Sequence, residues 1–330
     1  MRFSAFLPPT YTGLYCASTD ATRFTQRYPQ VQTNQPLHTH AFFTFSNSFT
    51  RMQNIFLPNC KINLGLNIVA KRPDGYHNLE TVFYPIPLRD SLELLEWKDG
   101  TKDEAYRLHL SGAPIAGNPA DNLVVKVYLS LREEFDLPPL EIFLCKHIPM
   151  GAGLGGGSSD AAAMMTGLNE LYQLNLSESD MERRMAKFGA DCAFFVRNRP
   201  VFATGIGDQM ENFNLSLQGK YIVLVKPNVF ISTKEAYAAV RPQPATHDLR
   251  EALAQDMDSW RETVVNDFET SVFPNHPELP AIKQTLYDLG ARYAAMSGSG
   301  STLFGLFDRP VAEAHEVFKD HFVFTEKLLR

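Results

Sequence analysis

The sequence predicts an α+β protein, and three observations carry that reading. Strand-patterned segments come first, over 61–70, through Val82, Phe83 and Tyr84, and over 91–97 and 106–110. Helix-patterned segments dominate from Asn122 onward, without the regular β-α-β alternation of a doubly wound sheet. The chain has 330 residues, 44% of them hydrophobic, enough for two domains of moderate size or one large one with a real core.

Bulk properties exclude several classes. A net charge of −6 with mixed signs along the chain argues against a nucleic-acid surface, which carries a basic stripe. No apolar run approaches the roughly 20 residues of a membrane helix, so no membrane partner is expected. Cysteines at 16, 60, 145 and 192 form no C-x-x-C pair and no metal-ligand spacing with histidine. A reduced, cytoplasmic setting is the simpler expectation. Residues 1–51 hold one acid, Asp20, against Arg2, Arg23, Arg27 and Arg51, and show no sustained period. They lack the amphipathic helix of a transit peptide, and Pro8 and Pro9 break any secretory apolar stretch. We expect a disordered arm or a mis-called extension, with translation starting at Met52.

The elements follow in order. Over 61–70, Ile62, Leu64, Leu66 and Ile68 alternate with Lys61, Asn63, Gly65 and Asn67, which predicts a half-buried strand with Lys61 and Asn63 side by side on its polar face. Arg72-Pro73-Asp74-Gly75 reads as a turn leading into Tyr76-His77. A helix is predicted over 122–135, a strand over 141–148 and a helix over 161–171. Ser177-Glu178-Ser179-Asp180 is capping-box chemistry for a helix ending near Gly189. Asp191 follows, beside apolar Ala193, Phe194 and Phe195; an isolated Asp there would ordinarily cap the next turn. Met296 to Ser301 is a glycine turn between two apolar segments, which could close a phosphate site from a second domain.

Between the 141–148 strand and the 161–171 helix runs a segment with five glycines in seven positions, 151–157. Glycines let backbone approach a ligand and adopt positive φ, and a following helix N-terminus attracts anions, so the segment reads as a phosphate loop. It is not a P-loop, because Gly157 is followed by Ser158 and Ser159 rather than Lys-Ser/Thr. Gly151, Gly153 and Gly156 fit G-x-G-x-x-G, but Lys146 and His147 sit where a buried parallel strand would be apolar, so a dinucleotide fold is a poor second.

Together these blocks resemble the GHMP kinase superfamily. Pro149-Met150-Gly151-Ala152-Gly153-Leu154-Gly155-Gly156-Gly157-Ser158-Ser159 is similar to its ATP loop, and Ser297-Gly298-Ser299-Gly300 to its C-terminal glycine motif. Pro58 to Leu64, Arg72 to His77, Gly189 to Phe195 and Pro227-Asn228-Val229 resemble the branch acting on 4-diphosphocytidyl-2-C-methyl-D-erythritol, and the likeness covers 54–310. It implies ATP-dependent phosphorylation of that small molecule's 2-hydroxyl in the non-mevalonate route to isoprenoids. It also implies a two-domain fold: residues 52–214 similar to the second domain of ribosomal protein S5, 215–330 ferredoxin-like, and the active site in the cleft between them.

By the same resemblance Asp191 is the general base and Lys61 positions the hydroxyl and offsets transition-state charge. Tyr76 and Tyr237 are the aromatic walls for cytosine, His77 reads its edge, Phe83 lines the pocket and Asn63 assists the methylerythritol end. The Ser297–Gly300 motif contacts substrate, and Asn122 and Lys146 line the adenine pocket. ATP chemistry implies Mg²⁺, for which no ligand is assigned; Asp160 is expected to point away from the phosphates or to approach the ion. A monomer or weak homodimer is expected. Another small-molecule GHMP kinase, for homoserine or phosphomevalonate, or a non-catalytic ligand-binding relative are the alternatives; Asp74-Gly75-Tyr76-His77 speaks against the first and retention of Lys61 and Asp191 against the second.

Overall fold

The computed structural model of the chain describes residues 54–100, 104–115 and 118–329. The expectation for residues 1–51 lies outside the described residues. In chain order the first half holds β1 (Ile55–Phe56), β2 (Asn59–Lys71), β3 (His77–Arg89), β4 (Ser91–Glu96), β5 (Tyr106–Gly112), α1 (Leu123–Phe135), β6 (Leu140–Lys146), α2 (Gly156–Leu171), α3 (Glu178–Met185), α4 (Ala190–Arg197), β7 (Val201–Thr204) and β8 (Gln209–Asn212). There follow β9 (Tyr221–Lys226), α5 (Thr233–Ala238), α6 (Leu249–Ala254), α7 (Trp260–Thr263), α8 (Asp267–Val272), α9 (Glu278–Asp288), β10 (Tyr293–Met296), β11 (Leu303–Phe307), α10 (Ala314–Val317) and β12 (Phe322–Lys327).

Three four-stranded sheets result, ordered β1-β4-β6-β5, β2-β3-β7-β8 and β10-β11-β9-β12. The one parallel pair within them is β5 with β6, joined through α1, so a single β-α-β unit sits in an otherwise antiparallel framework. In the third sheet the chain order of the strands is second, third, first, fourth, the arrangement of a ferredoxin-like layer.

Strand β2 departs from the half-buried expectation: both its faces are covered, with Lys61, Asn63 and Asn67 buried beside the apolar residues. Its apolar set also divides. Cys60, Ile62 and Leu64 join a cluster with Ile222, Leu224 and Phe304, whereas Leu66 and Ile68 join another with Val223, Val225 and Met296. The division falls at Gly65, where the pairing with β3 shifts register and φ is +68°. A Cβ there would stand 2.4 Å from Leu249 Cδ1, so the bulge lets α6 pack onto the strand. The first cluster draws on residues from both halves of the chain, and 54–330 form one compact unit.

A further core forms where α1 and α2 pack on β4 and β6, burying Val124, Val127, Leu131, Met164, Met165 and Leu168 against Leu92, Leu94, Ile142 and Leu144. Truncating one of these side chains to Ala costs about 2–5 kcal/mol. Helix α1 is capped by Asn122, whose side chain accepts from Val124 N at 3.0 Å, and it ends at Asp136 in the left-handed region. Helix α2 begins at Gly156, five residues before the predicted start, because Gly155 at φ +69° serves as N-cap and the last glycines enter the first turn. Helix α3 has both halves of the capping box between Ser177 and Asp180, but it ends at Met185 rather than near Gly189. There the backbone turns, Phe188 N donating to Met185 O, and Gly189 opens α4 instead. Asp191 therefore lies in the first turn of α4. Among the described residues no helix is long and apolar enough to cross a membrane.

Candidate active site

The glycine loop leaves β6 at Lys146 and enters α2 at Gly156. Gly151, Gly153 and Gly155 have φ of +58°, +74° and +69°, and the intervening residues turn the other way. Such alternation aims successive amides into one concavity, an anion-binding nest. All three are also crowded: a Cβ on Gly153 would stand 2.0 Å from Ser297 O, and one on Gly151 or Gly155 would meet the ring of Phe230 or Phe195 at 2.9 Å. Gly157 is different, since a Cβ there would meet nothing within 4 Å. The fold does not need a glycine at 157. The first intrahelical bond is Ser159 N to Gly155 O, so the amides of 156–158 are left for a ligand or solvent at the positive end of a 16-residue helix.

The crest of this loop is stitched to two other elements. Lys61 N donates to Leu154 O at 3.0 Å, Ser297 Oγ to Gly153 O at 2.9 Å, and Thr302 N to Ala152 O at 3.3 Å. Ser297 Oγ also accepts from Asn63 N at 3.3 Å. The glycine turn between β10 and β11 thus meets the glycine loop directly, with Gly298 against Gly153 and Asn63, Ser299 half-buried and Gly300 N bonded to Ser297 O. This turn is held in place by Asn266, whose Nδ2 donates to Met296 O at 2.7 Å and Gly298 O at 2.9 Å. Sequence reasoning missed Asn266. Its Oδ1 caps α8 through Phe268 N, so the local pattern identifies a cap but not the contact 30 residues away.

Lys61 and Asp191 come together beside the loop. Lys61 Nζ lies 3.7 Å from Asp191 Oδ2, donates to Asn63 Oδ1 at 2.6 Å and stands 4.9 Å from the centre of the Phe83 ring. Lys61 is buried, whereas the Asp191 side chain is 36% exposed and so reachable. Asp191 stands in the first turn of α4. Asn63 Nδ2 donates to Thr81 Oγ1, which donates on to Gly65 O at 2.5 Å, so the lysine's partner is itself fixed. Thr81 is a second residue the sequence did not single out.

Tyr76 is 62% exposed on the turn after β2, which Asp74 organises by pairing with Arg72 and accepting from Tyr76 N. His77 and Tyr237 stack on each other, ring centres 4.8 Å apart and planes 23° apart, and Phe268 meets Tyr237 edge-on. Burial and the nearby Lys71 hold the His77 imidazole below its usual range, favouring the neutral ring. Burial, and then the Asp191 charge, raise the Tyr237 phenol.

Two residues expected at the adenine pocket have other engagements. Asn122 spends its side-chain oxygen capping α1. Lys146 is buried between two carboxylates, pairing with Asp90 and, at 2.5 Å, with Asp160 Oδ2. Asp160 is buried beneath α2, where Lys146 is its partner. Pro149 and Met150 line, with Lys146, His147 and Ala113, a cavity of about 720 Å³ that extends to Lys226 and Phe322. Among the described residues no three His, Cys, Asp or Glu side chains converge as a metal site would require.

A glycine nest feeding a long helix, a second glycine turn closing on it, and a lysine–carboxylate pair alongside define a small-molecule kinase of the GHMP type. The GHMP kinases N-terminal domain model matches residues 122–199 and the GHMP kinases C-terminal model residues 245–323. A 4-diphosphocytidyl-2-C-methyl-D-erythritol kinase of Bacteroides thetaiotaomicron is 56% identical over 254 residues, covering 77% of this chain and 92% of that protein. The kinase of the same name from Parabacteroides distasonis is 49% identical, covering 83% and 99%. A crystal structure of 4-(cytidine 5'-diphospho)-2C-methyl-D-erythritol kinase superposes with TM-score 0.70 at 31% identity, over 84% of this chain and 99% of that one. A homoserine kinase from Cytophaga hutchinsonii, TM-score 0.58 at 16% identity over 89% and 98%, shares the fold. The chain belongs to the 4-diphosphocytidyl-2-C-methyl-D-erythritol kinase family of GHMP kinases.

Proposed function

We propose that this chain transfers the γ-phosphoryl group of ATP to the 2-hydroxyl of 4-diphosphocytidyl-2-C-methyl-D-erythritol, giving the 2-phosphate and ADP. The observation that carries the reading is the pair Lys61 and Asp191, 3.7 Å apart, with Lys61 also bonded through its backbone to Leu154 of the glycine loop. A phosphate acceptor placed between the pair and the loop is positioned by one and faces its donor across the other. Asp191 accepts the hydroxyl proton as the oxygen forms its bond to phosphorus, and the bond to the ADP oxygen breaks. Lys61 offsets charge on the equatorial oxygens, and the amides at 151–158 take the rest. Such transfers depend mainly on positioning and electrostatics, so few groups suffice.

Mg²⁺ accompanies ATP in this reading, neutralising phosphate charge when bound. Among the described residues no three His, Cys, Asp or Glu side chains converge on one point, and no side chain is assigned to hold the ion. Tyr76, His77, Phe83 and Tyr237 form the nucleobase end, and a neutral His77 can both donate to and accept from a cytosine edge. We assign residues 52–214 and 215–330 to the two domains, a monomer or weak homodimer, and a cytoplasmic setting with its ATP supply.

The full-length chain with Mg-ATP, offered 4-diphosphocytidyl-2-C-methyl-D-erythritol, homoserine, phosphomevalonate and galactose in turn, tests the assignment. ADP release with the cytidyl substrate alone is expected. Release only with a non-cytidyl acceptor contradicts it.

A further inference from the structure

Beneath the glycine loop lies an ion cluster that none of the roles above uses. Asp90, at the β3–β4 junction, accepts His147 N at 2.5 Å and Ile148 N at 2.8 Å with one oxygen, and Lys146 Nζ with the other. Lys146 Nζ donates at 2.5 Å to Asp160 Oδ2, and Asp160 Oδ1 has no hydrogen-bond partner. The three side chains are 0%, 1% and 3% exposed. Two carboxyl groups and one ammonium buried together are costly whether or not Asp160 holds a proton, and apolar residues of similar volume are often no less stabilising. General stability does not account for the arrangement.

Its placement does. Lys146 is the last residue of β6 and Asp160 the fifth of α2, so their pair brackets residues 147–159, the whole glycine loop. Asp90 holds the first two amides of that loop and, through Lys146, is tied to the helix at its far end. The crest is fixed by Lys61, Ser297 and Thr302, and the body of α2 by its packing against Ile142 and Leu144 of β6, whereas the Lys146–Asp160 pair ties the end of β6 to the first turns of the helix. Lys146 Nζ lies 3.4 Å from where a Cβ of Gly156 would be, directly under the first turn whose amides face the ligand.

We propose that Asp90, Lys146 and Asp160 are positioning residues for ATP: a buried clasp that closes the base of the glycine loop and aims the α2 N-terminus at the triphosphate. The inference rests on the reading that this loop holds ATP phosphates. Lys146 thereby acts on the nucleotide through the loop rather than by a contact to adenine. Disrupting the clasp weakens ATP specifically, leaving the acceptor and the Lys61–Asp191 pair in place.

The test compares Asp160→Leu, which removes the clasp, with Asp160→Asn, which keeps a side-chain oxygen for Lys146 at nearly the same size. Steady-state kinetics are read separately for ATP and for 4-diphosphocytidyl-2-C-methyl-D-erythritol, with equilibrium binding of a non-hydrolysable ATP analogue alongside. Asp160→Leu is expected to raise KM for ATP, and Kd for the analogue, about tenfold or more, with KM for the acceptor and kcat changed less than about threefold. Asp160→Asn is expected to recover most of the ATP affinity. If Asp160→Leu does not fold, Asp160→Ser, which leaves room for water beside Lys146, takes its place. An unchanged KM for ATP, or parallel loss of both KM values and kcat, overturns the clasp. Failure of the unsubstituted protein to bind the analogue would instead overturn the ATP-loop reading.

Discussion

Lys61 Nζ stands 3.7 Å from Asp191 Oδ2 but only 2.6 Å from Asn63 Oδ1, so the lysine is held by its neighbour on β2 and leaves the carboxylate open to an acceptor. Lys61→Met keeps the length of the chain and removes the charge. It is expected to lower kcat by about 10²–10³ with nucleotide binding retained, the size of effect seen when one charge-stabilising donor is lost. Rapid-quench measurement of the phosphoryl-transfer step checks it; a change under about threefold contradicts the role given to Lys61.

Gly153 and Gly157 separate what the fold needs from what the ligand needs. Gly153→Ala places a Cβ 2.0 Å from Ser297 O at a φ of +74°, and is expected to lose about 2 kcal/mol or more of stability along with ATP affinity. Gly157→Ala meets no protein atom within 4 Å, so stability should hold or rise slightly. Its KM for ATP should nonetheless rise, because the added methyl faces the triphosphate. Thermal melts beside ATP titrations of both variants decide the matter.

Burial raises the Asp160 carboxyl to about 8; attraction to Lys146 works against this and the Asp90 charge adds to it. In the unfolded chain the group has its ordinary value of 3.8. Between those two values the folded protein binds more protons, so Asp160's contribution to stability falls as pH rises from about 4 to about 8. Asp160→Asn removes that slope. Denaturant melts at pH 5.5 and 8.5 should show the variant gaining on the parent at the higher pH; equal differences at both would argue against a raised Asp160.

Tyr237 stacks on His77, so Tyr237→Phe should preserve acceptor binding and Tyr237→Ala should raise KM for the cytidyl substrate about tenfold, with KM for ATP unchanged. Acceptor titrations at saturating ATP read this out.

Period-2 alternation was enough to set Lys61 and Asn63 side by side, and the glycine spacing was enough to mark the tight loop between β6 and α2. The covered polar face of β2 was not legible, because it depends on the Gly65 bulge and on α6 arriving from 184 residues later, at Leu249. Nor was the Asp90–Lys146–Asp160 cluster, whose members lie 56 and 14 positions apart and look like ordinary surface charges in isolation. Local chemistry is written in short spacings. Pairings made by tertiary packing are not, which is why nothing in the sequence around Asn266 signals its contact with Gly298.

The most direct measurement is ADP release by full-length Asp191→Asn and by the unsubstituted chain, with Mg-ATP and 4-diphosphocytidyl-2-C-methyl-D-erythritol, alongside calorimetric binding of an ATP analogue. The parent is expected to turn over, and the variant to bind the analogue with unchanged affinity while kcat falls by about 10³ or more. Turnover by the variant near the parent rate would contradict Asp191 as the base, and with it the account of this site.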